Sequence, residues 1–242
     1  PRKLSATGYV EWVLGDLRPK SAMHVTTEID PNSGALFARN PYNTEFTGLI
    51  AFFDVDDATR TISGDRTEFI GRNGTLRNPA AMARSRLSGK VGAALDPCAA
   101  IQVSFELADG QEREIIFRLG LAGRRGTDDA SKLVHRFRGS AAARGALEAV
   151  YQYWNHTLGA VQVETPDPSL NVLTNGWLVY QTLACRLWAR SGYYQSSGAF
   201  GFRDQLQDAM ALVHTEPQRL RAQLFLCASR QFLEGDVQHW WH

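Results

Sequence analysis

Only three cysteines occur in the 242 residues, Cys98, Cys185 and Cys227. Their spacing fits no zinc site or redox pair, and an odd number cannot close into a full disulfide framework. Cys185 and Cys227 lie in apolar helical patterns and read as buried free thiols, a usage that suits a reducing compartment. An excess of charge is missing too. Lys and Arg number 26 against 25 Asp and Glu, for a net charge of +1. That removes any electrostatic argument for nucleic acid or a membrane surface. No apolar run is long enough to span a bilayer, and no signal-peptide pattern is present. The Gly-x-Ser-x-Gly elbow, the His-Glu-x-x-His pair and the dinucleotide fingerprint are absent, so three common enzyme classes lose their motif support. Neither a metal nor an organic cofactor is expected.

What remains is an ordinary globular balance, 44% hydrophobic and 21% charged, with six tryptophans and twelve phenylalanines. The length suffices for one large domain or two small ones. The order of patterns predicts α+β by segregation. Residues 1–122 read as a β-sandwich of short strands separated by turns. Tyr9–Leu14, Met23–Ile29, Ala35–Asn40 and Thr47–Val55 are strand-like, with Asp30–Gly34 as the turn of one hairpin. Ile101–Leu107 and Glu112–Gly120 flank an Asp109-Gly110 turn and read as a second hairpin. Residues 123–163 read as a helical linker. Its second helix, from about Ser140, carries Leu147, Val150, Tyr151, Trp154 and Leu158 on one face. Residues 164–242 read as the start of a helical domain. Ser169 or Asp167 caps a helix running to about Arg190, apolar enough to be packed on several sides, and Pro217 opens another. The chain starts at Pro1 without Met and stops after Trp240-Trp241-His242, so a piece of a longer protein is expected.

The organising stretch is Tyr193 to Asp208. A tyrosine pair and a Ser/Gly loop lead into an aromatic turn, Phe200-Gly201-Phe202, and a helix that opens with charge. Leu206, Met210 and Val213 form its expected apolar stripe. Asp204 and Asp208 are one turn apart, as are Arg203 and Gln207. Carboxylates, an amide and a guanidinium beside aromatic rings suit a hydroxyl-rich ligand, because they supply paired donors and acceptors and apolar faces. The plain alternative is a helix start whose acids complement the macrodipole and give Arg203 a partner. Other loops leave similar pairs of readings open. Arg72 and Arg77 in Phe69–Pro79, and Tyr42 and Asn43 in Asn40–Phe46, are either surface turns or contacts to a sugar or anion. His135 and His156 read as surface or capping residues. His239, Trp240, Trp241 and His242 form either an aromatic sugar platform or core.

Gly201-Phe-Arg-Asp-Gln-Leu-Gln-Asp208 strongly resembles the Gly-Phe-Arg-Asp-x-x-Gln-Asp motif of the inverting sugar phosphorylases of glycoside hydrolase family 94. The Tyr193–Ala199 approach, the Phe69–Pro79 loop and the Gly235–His242 ending resemble one branch, the phosphorylase-like region of cyclic β-1,2-glucan synthases. The similarity runs over essentially the whole chain. It implies a sandwich leading through linker helices into the first helices of an (α/α)6 barrel. It implies a glycosyltransferase of the phosphorylase type that trims β-1,2-glucan, with inorganic phosphate as co-substrate. By position in the motif, Arg203 and Asp208 would bind hydroxyls of the sugar, with Gln207, Asp204 and Tyr194 beside them. The family's general acid lies in a Trp-Asn-Asp-type motif further along, and the 242 residues contain none. The expected partners are a β-glucan oligosaccharide and phosphate, with a homodimer left open. The expected compartment is the cytoplasm, or the cytoplasmic part of an inner-membrane protein. The rival function is a carbohydrate-binding or structural segment without catalysis.

Overall fold

In the computed structural model, which describes residues 1–44, 47–123, 126–191 and 198–242, the alternating runs before residue 123 form two antiparallel sheets. One has the order β1-β6-β5, with β1 at Arg2–Glu11, β6 at Pro97–Leu107 and β5 at Thr61–Asp65. The other has the order β2-β3-β4-β7, with β2 at Thr26–Ile29, β3 at Leu36–Arg39, β4 at Ile50–Val55 and β7 at Phe117–Ala122. Alternation sends every second side chain inward. Leu36, Ala38, Ala51 and Phe53 of one sheet thus join Ile62, Ile101 and Val103 of the other in a single buried cluster.

Helices cover the outer faces. Phe69 and Ile70 of α2 (Arg66–Ile70) pack with Ala100 of β6, and Phe69 stacks on Tyr9 with ring centroids 4.7 Å apart. Ala130 and Val134 of α3 (Thr127–Arg136) pack with Phe37, Ile50 and Phe52. That two-sided cover explains why every residue of β4 is buried. It also surrounds Asp54, which is fully buried and paired with Arg118 of β7 and with Arg138 just beyond α3. A buried carboxylate is tolerable only when paired in this way.

The chain divides into two compact units, 1–146 and 147–242. The residues expected as a linker, 123–163, are therefore shared: α3 belongs to the sandwich, and α4 (Ser140–Gly159) crosses the division. In the second unit a helical run covers 168–188. It comprises α5 (Pro168–Val172), a π-helical stretch (Leu173–Trp177), α6 (Leu178–Gln181) and a second π-helical stretch (Thr182–Trp188). Asp167 caps it by accepting from the Ser169 backbone N–H at 2.8 Å, with Pro168 in the first turn. The side-chain amide of Asn175 clips Val163 through both backbone groups, at 2.7 and 2.8 Å, which fixes the extended segment before the helix. α7 (Phe202–Ala209) and α8 (Pro217–Ala228) follow, and Phe200–Gly201 (β8) pairs with Trp240–Trp241 (β9).

Several expectations are corrected. β6 and β7 do not form a hairpin. Asp109-Gly110 does turn the chain, but β6 pairs with β1 and β5 while β7 crosses to β4 in the other sheet. Two alternating strands around a turn fit either a hairpin or a crossover between facing sheets, since both need the same inward pattern. Cys185 is exposed, whereas Cys98 and Cys227 are buried. The helical run is not packed on several sides: Leu183 is fully buried, but Val172, Trp177, Leu178 and Trp188 are exposed. In α4 the expected face is also open at Leu147, Val150 and Tyr151. Of that face Trp154 packs against Trp188 and Leu158 is half-buried, and the packed side also carries the buried Thr157, which donates to Glu216 at 2.9 Å. On α7 and the turn after it, Met210 and Val213 are exposed, and Gln205, Ala209 and Leu212 form the buried stripe. The spacing i, i+4, i+7 was right. Its phase was set by a buried amide that a count of apolar residues cannot see.

Candidate functional site

The described part of the organising stretch, residues 198–208, runs through the short ladder of β8 and β9. Phe200 lies opposite Trp241 and Gly201 opposite Trp240, and the Phe202 backbone N–H donates to the His239 carbonyl at 3.1 Å. The Phe200 and Trp241 rings stack at 5.4 Å, nearly parallel, with Arg190 over the Phe200 face and Arg230 over the Trp241 face. Aromatic stacking and cation–π contacts each contribute about 0.5–1.5 kcal/mol beyond burial. Trp241 is therefore packing, which decides between platform and core for that ring, while Trp240 stays half-exposed beside His242. No cluster of His, Cys, Asp or Glu suited to a metal ion occurs among the described residues.

The ladder leaves Gly201 extended as the residue before α7. The first turns of α7 then present the motif. Arg203 donates to Asp204 at 2.7 Å and to Gln207 at 3.0 Å, so these three form one exposed polar group. Asp204 sits in the first turn, where the helix dipole favours a carboxylate. Asp208 does not join them. Its Oδ2 accepts from Nε of Arg186, which arrives from the second π-helical stretch. Gln205, between the two groups, is 1% exposed and donates through Nε2 to the carbonyls of Arg186 and Ala199, each at 3.3 Å. It thereby ties α7 to the π-helical stretch on one side and to the chain leading into β8 on the other.

Of the expected site residues, Arg203, Asp204 and Gln207 are brought together, and Asp208 stands one turn along with a partner of its own. Tyr194 falls outside the described residues, as does Tyr193. The motif missed Arg186 and Gln205. Arg186 lies 22 residues from Asp208 in sequence, and its one local signal is a cation inside an otherwise apolar helix. In the first unit, Arg72 and Arg77 are exposed and make no ion pair among the described residues. Tyr42 stacks on His24 at 4.2 Å and, with Asn43, lines a cleft of about 390 Å³. His135 and His156 are exposed, as expected.

Comparison with known proteins places both units. Residues 1–140 match the supersandwich domain of glycosyl hydrolase 94, and residues 153–242 match the catalytic domain of the glycosyl hydrolase 94 superfamily. The chain is 43% identical over 241 residues, 99% of its length, to the cyclic beta-(1,2)-glucan synthase NdvB of Rhizobium meliloti (strain 1021), of which it spans 8%. It is 28% identical over 235 residues, 93% of its length, to the N,N'-diacetylchitobiose phosphorylase of Vibrio furnissii, of which it spans 28%. It is 28% identical over 172 residues, 71% of its length, to the 3-O-beta-D-glucopyranosyl-beta-D-glucuronide phosphorylase of Paenibacillus borealis, of which it spans 21%.

Proposed function

The chain belongs to the glycosyl hydrolase 94 family, and on that premise we propose that it is part of an inverting glycoside phosphorylase acting on β-1,2-glucan oligosaccharides. One observation carries the reading. The residues of the family motif sit at the start of α7 as a donor–acceptor group, Arg203, Asp204 and Gln207, followed one turn later by the part-buried pair Asp208–Arg186. A bare helix start would not need Asp208 held by a cation from another helical run. The β-1,2 linkage rests on the similarity to the glucan synthase, and phosphorolysis on the similarity to the two phosphorylases.

In this proposal Arg203 and Asp208 bind hydroxyls of the sugar whose bond is cleaved, with Gln207, Asp204 and Tyr194 beside them. Inorganic phosphate is the co-substrate, and no cofactor takes part. A carboxylic acid protonates the glycosidic oxygen while phosphate attacks the anomeric carbon from the opposite face. Phosphate replaces the activated water of an inverting hydrolase, so one protein acid suffices. The 242 residues contain no Trp-Asn-Asp sequence. The acid therefore comes from outside them, and α5 to α8 are the opening helices of an (α/α)6 barrel. The proposed compartment is the cytoplasm. No helix among the described residues is long and apolar enough to cross a membrane.

The test is phosphate dependence in the longer protein that carries this chain. Release of glucose 1-phosphate from β-1,2-glucan oligosaccharide, requiring phosphate and absent from the isolated 242 residues, is the expected result. Binding of the oligosaccharide without release, at any phosphate concentration, would establish a binding segment instead.

A further inference from the structure

The family motif leaves Asp208 without a cation of its own, because Arg203 is committed to Asp204 and Gln207. Arg186 supplies one. It comes from the π-helical stretch Thr182–Trp188, a turn form that shifts the helical register and recurs at functional sites. Arg186 is fixed to α7 at two points. Its Nε donates to Asp208 Oδ2, and its backbone carbonyl accepts from the buried Gln205 amide. The two side chains are nonetheless 19% and 33% exposed, so the pair is reachable. Among the described residues, the Nη atoms of Arg186 and Oδ1 of Asp208 make no further hydrogen bond. The pair thus keeps donors and an acceptor side by side.

We propose that Arg186 and Asp208 form one clamp for two neighbouring hydroxyls of a single pyranose ring, with Arg186 a specificity-determining residue. This rests on the sugar-site reading of α7. A guanidinium carries five N–H donors and no acceptor, and a carboxylate is acceptor-only. One hydroxyl donates to Asp208 Oδ1 while its neighbour accepts from an Arg186 Nη–H. Charge-assisted bonds of this kind are about twice as strong as neutral ones. The carboxylate also selects the ligand. A phosphate placed on this arginine would face Asp208 at close range and be repelled, whereas a neutral vicinal diol satisfies both partners.

The experiment compares wild type, Arg186→Met and Arg186→Lys in the longer protein, following phosphorolysis of β-1,2-glucan oligosaccharide. Arg186→Met is expected to lower kcat/KM for the glucan about a hundredfold, with the KM for phosphate unchanged. Arg186→Lys, which keeps the charge but not the planar fork, should recover roughly a tenth of the wild-type value. Melting temperatures are read alongside. A kcat/KM for the glucan within twofold of wild type would reduce Arg186 to a structural partner and overturn the inference. A rise in the phosphate KM instead would assign Arg186 to phosphate and overturn it too. Should Arg186→Met fail to fold, Arg186→Lys decides: it should weaken the glucan step at unchanged melting temperature, and equal kinetics would contradict the clamp. If wild type releases no glucose 1-phosphate, phosphorolysis itself fails. Calorimetric titration of the same oligosaccharide into wild type and Arg186→Lys then decides the clamp separately: weaker binding by Arg186→Lys supports it, and equal binding overturns it.

Discussion

At the scale of single residues, the three cysteines show how burial and chemistry separate groups that look alike in sequence. Burial pushes the Cys98 thiol up to about 12 and raises that of Cys227 as well. Cys185 is exposed. The thiolate is the nucleophile, so a thiol held neutral and covered does not react. Native protein at pH 8 should therefore take up one equivalent of a thiol reagent rapidly, at Cys185, and all three only in denaturant. Mass mapping of the label checks this, and labelling of Cys98 as fast as Cys185 would contradict the described packing. Reactivity here follows a location that sequence did not give. Cys185 occupies an apolar-looking helical pattern, yet the run it sits in buries few of its side chains completely. Arg186, next to it, is equally hard to read from sequence. A cation in an apolar helix has no local partner to announce it, and its carboxylate lies in a different helix.

At the scale of elements, most strands were legible because alternation needs only local sequence. The hairpin of β2 and β3 and the buried strand β4 fall where Asp30–Gly34 and the apolar run place them. What sequence could not decide was which strand pairs with which. β7 leaves β6 for β4, and β5 carries no strand signal, since Thr61-Ile-Ser-Gly-Asp65 has one large apolar residue. The helix phases failed similarly. Gln205 occupies the buried stripe of α7 because its amide bridges two carbonyls, a role fixed by tertiary contacts. One glycine tests how tightly the sheets are fitted. At Gly8 of β1, an added Cβ would lie 2.6 Å from the Phe53 ring and 2.7 Å from Phe117. Both rings are in the core between the sheets, and neither can swing away without disturbing its neighbours. Gly8→Ala is expected to cost about 1–3 kcal/mol by overpacking. A fall in the denaturant midpoint at unchanged slope would show it, and an unchanged midpoint would mean that the sheets are less closely packed at this point than described.

At the scale of the whole molecule, two units with separate packing carry one family signature across both. The sandwich has two-sided cover and a continuous core between its sheets. The helical unit exposes Val172, Trp177, Leu178 and Trp188, and Arg186 and Gln205 tie its second π-helical stretch to α7. The central claim is that the start of α7 binds the sugar, and Asp208 tests it most directly. As a mere surface ion pair, Asp208 would contribute at most about 1 kcal/mol, and its loss would leave turnover alone. As an acceptor for a sugar hydroxyl, it makes a contact that strengthens toward the transition state. The decisive measurement is kcat/KM for phosphate-dependent release of glucose 1-phosphate by the longer protein, wild type against Asp208→Asn, with the melting temperature of each. The account predicts a loss of about a hundredfold, about 2.7 kcal/mol at roughly 1.36 kcal/mol per decade, with the melting temperature nearly unchanged. Unchanged kinetics, or a large loss of stability in place of a kinetic effect, would contradict it.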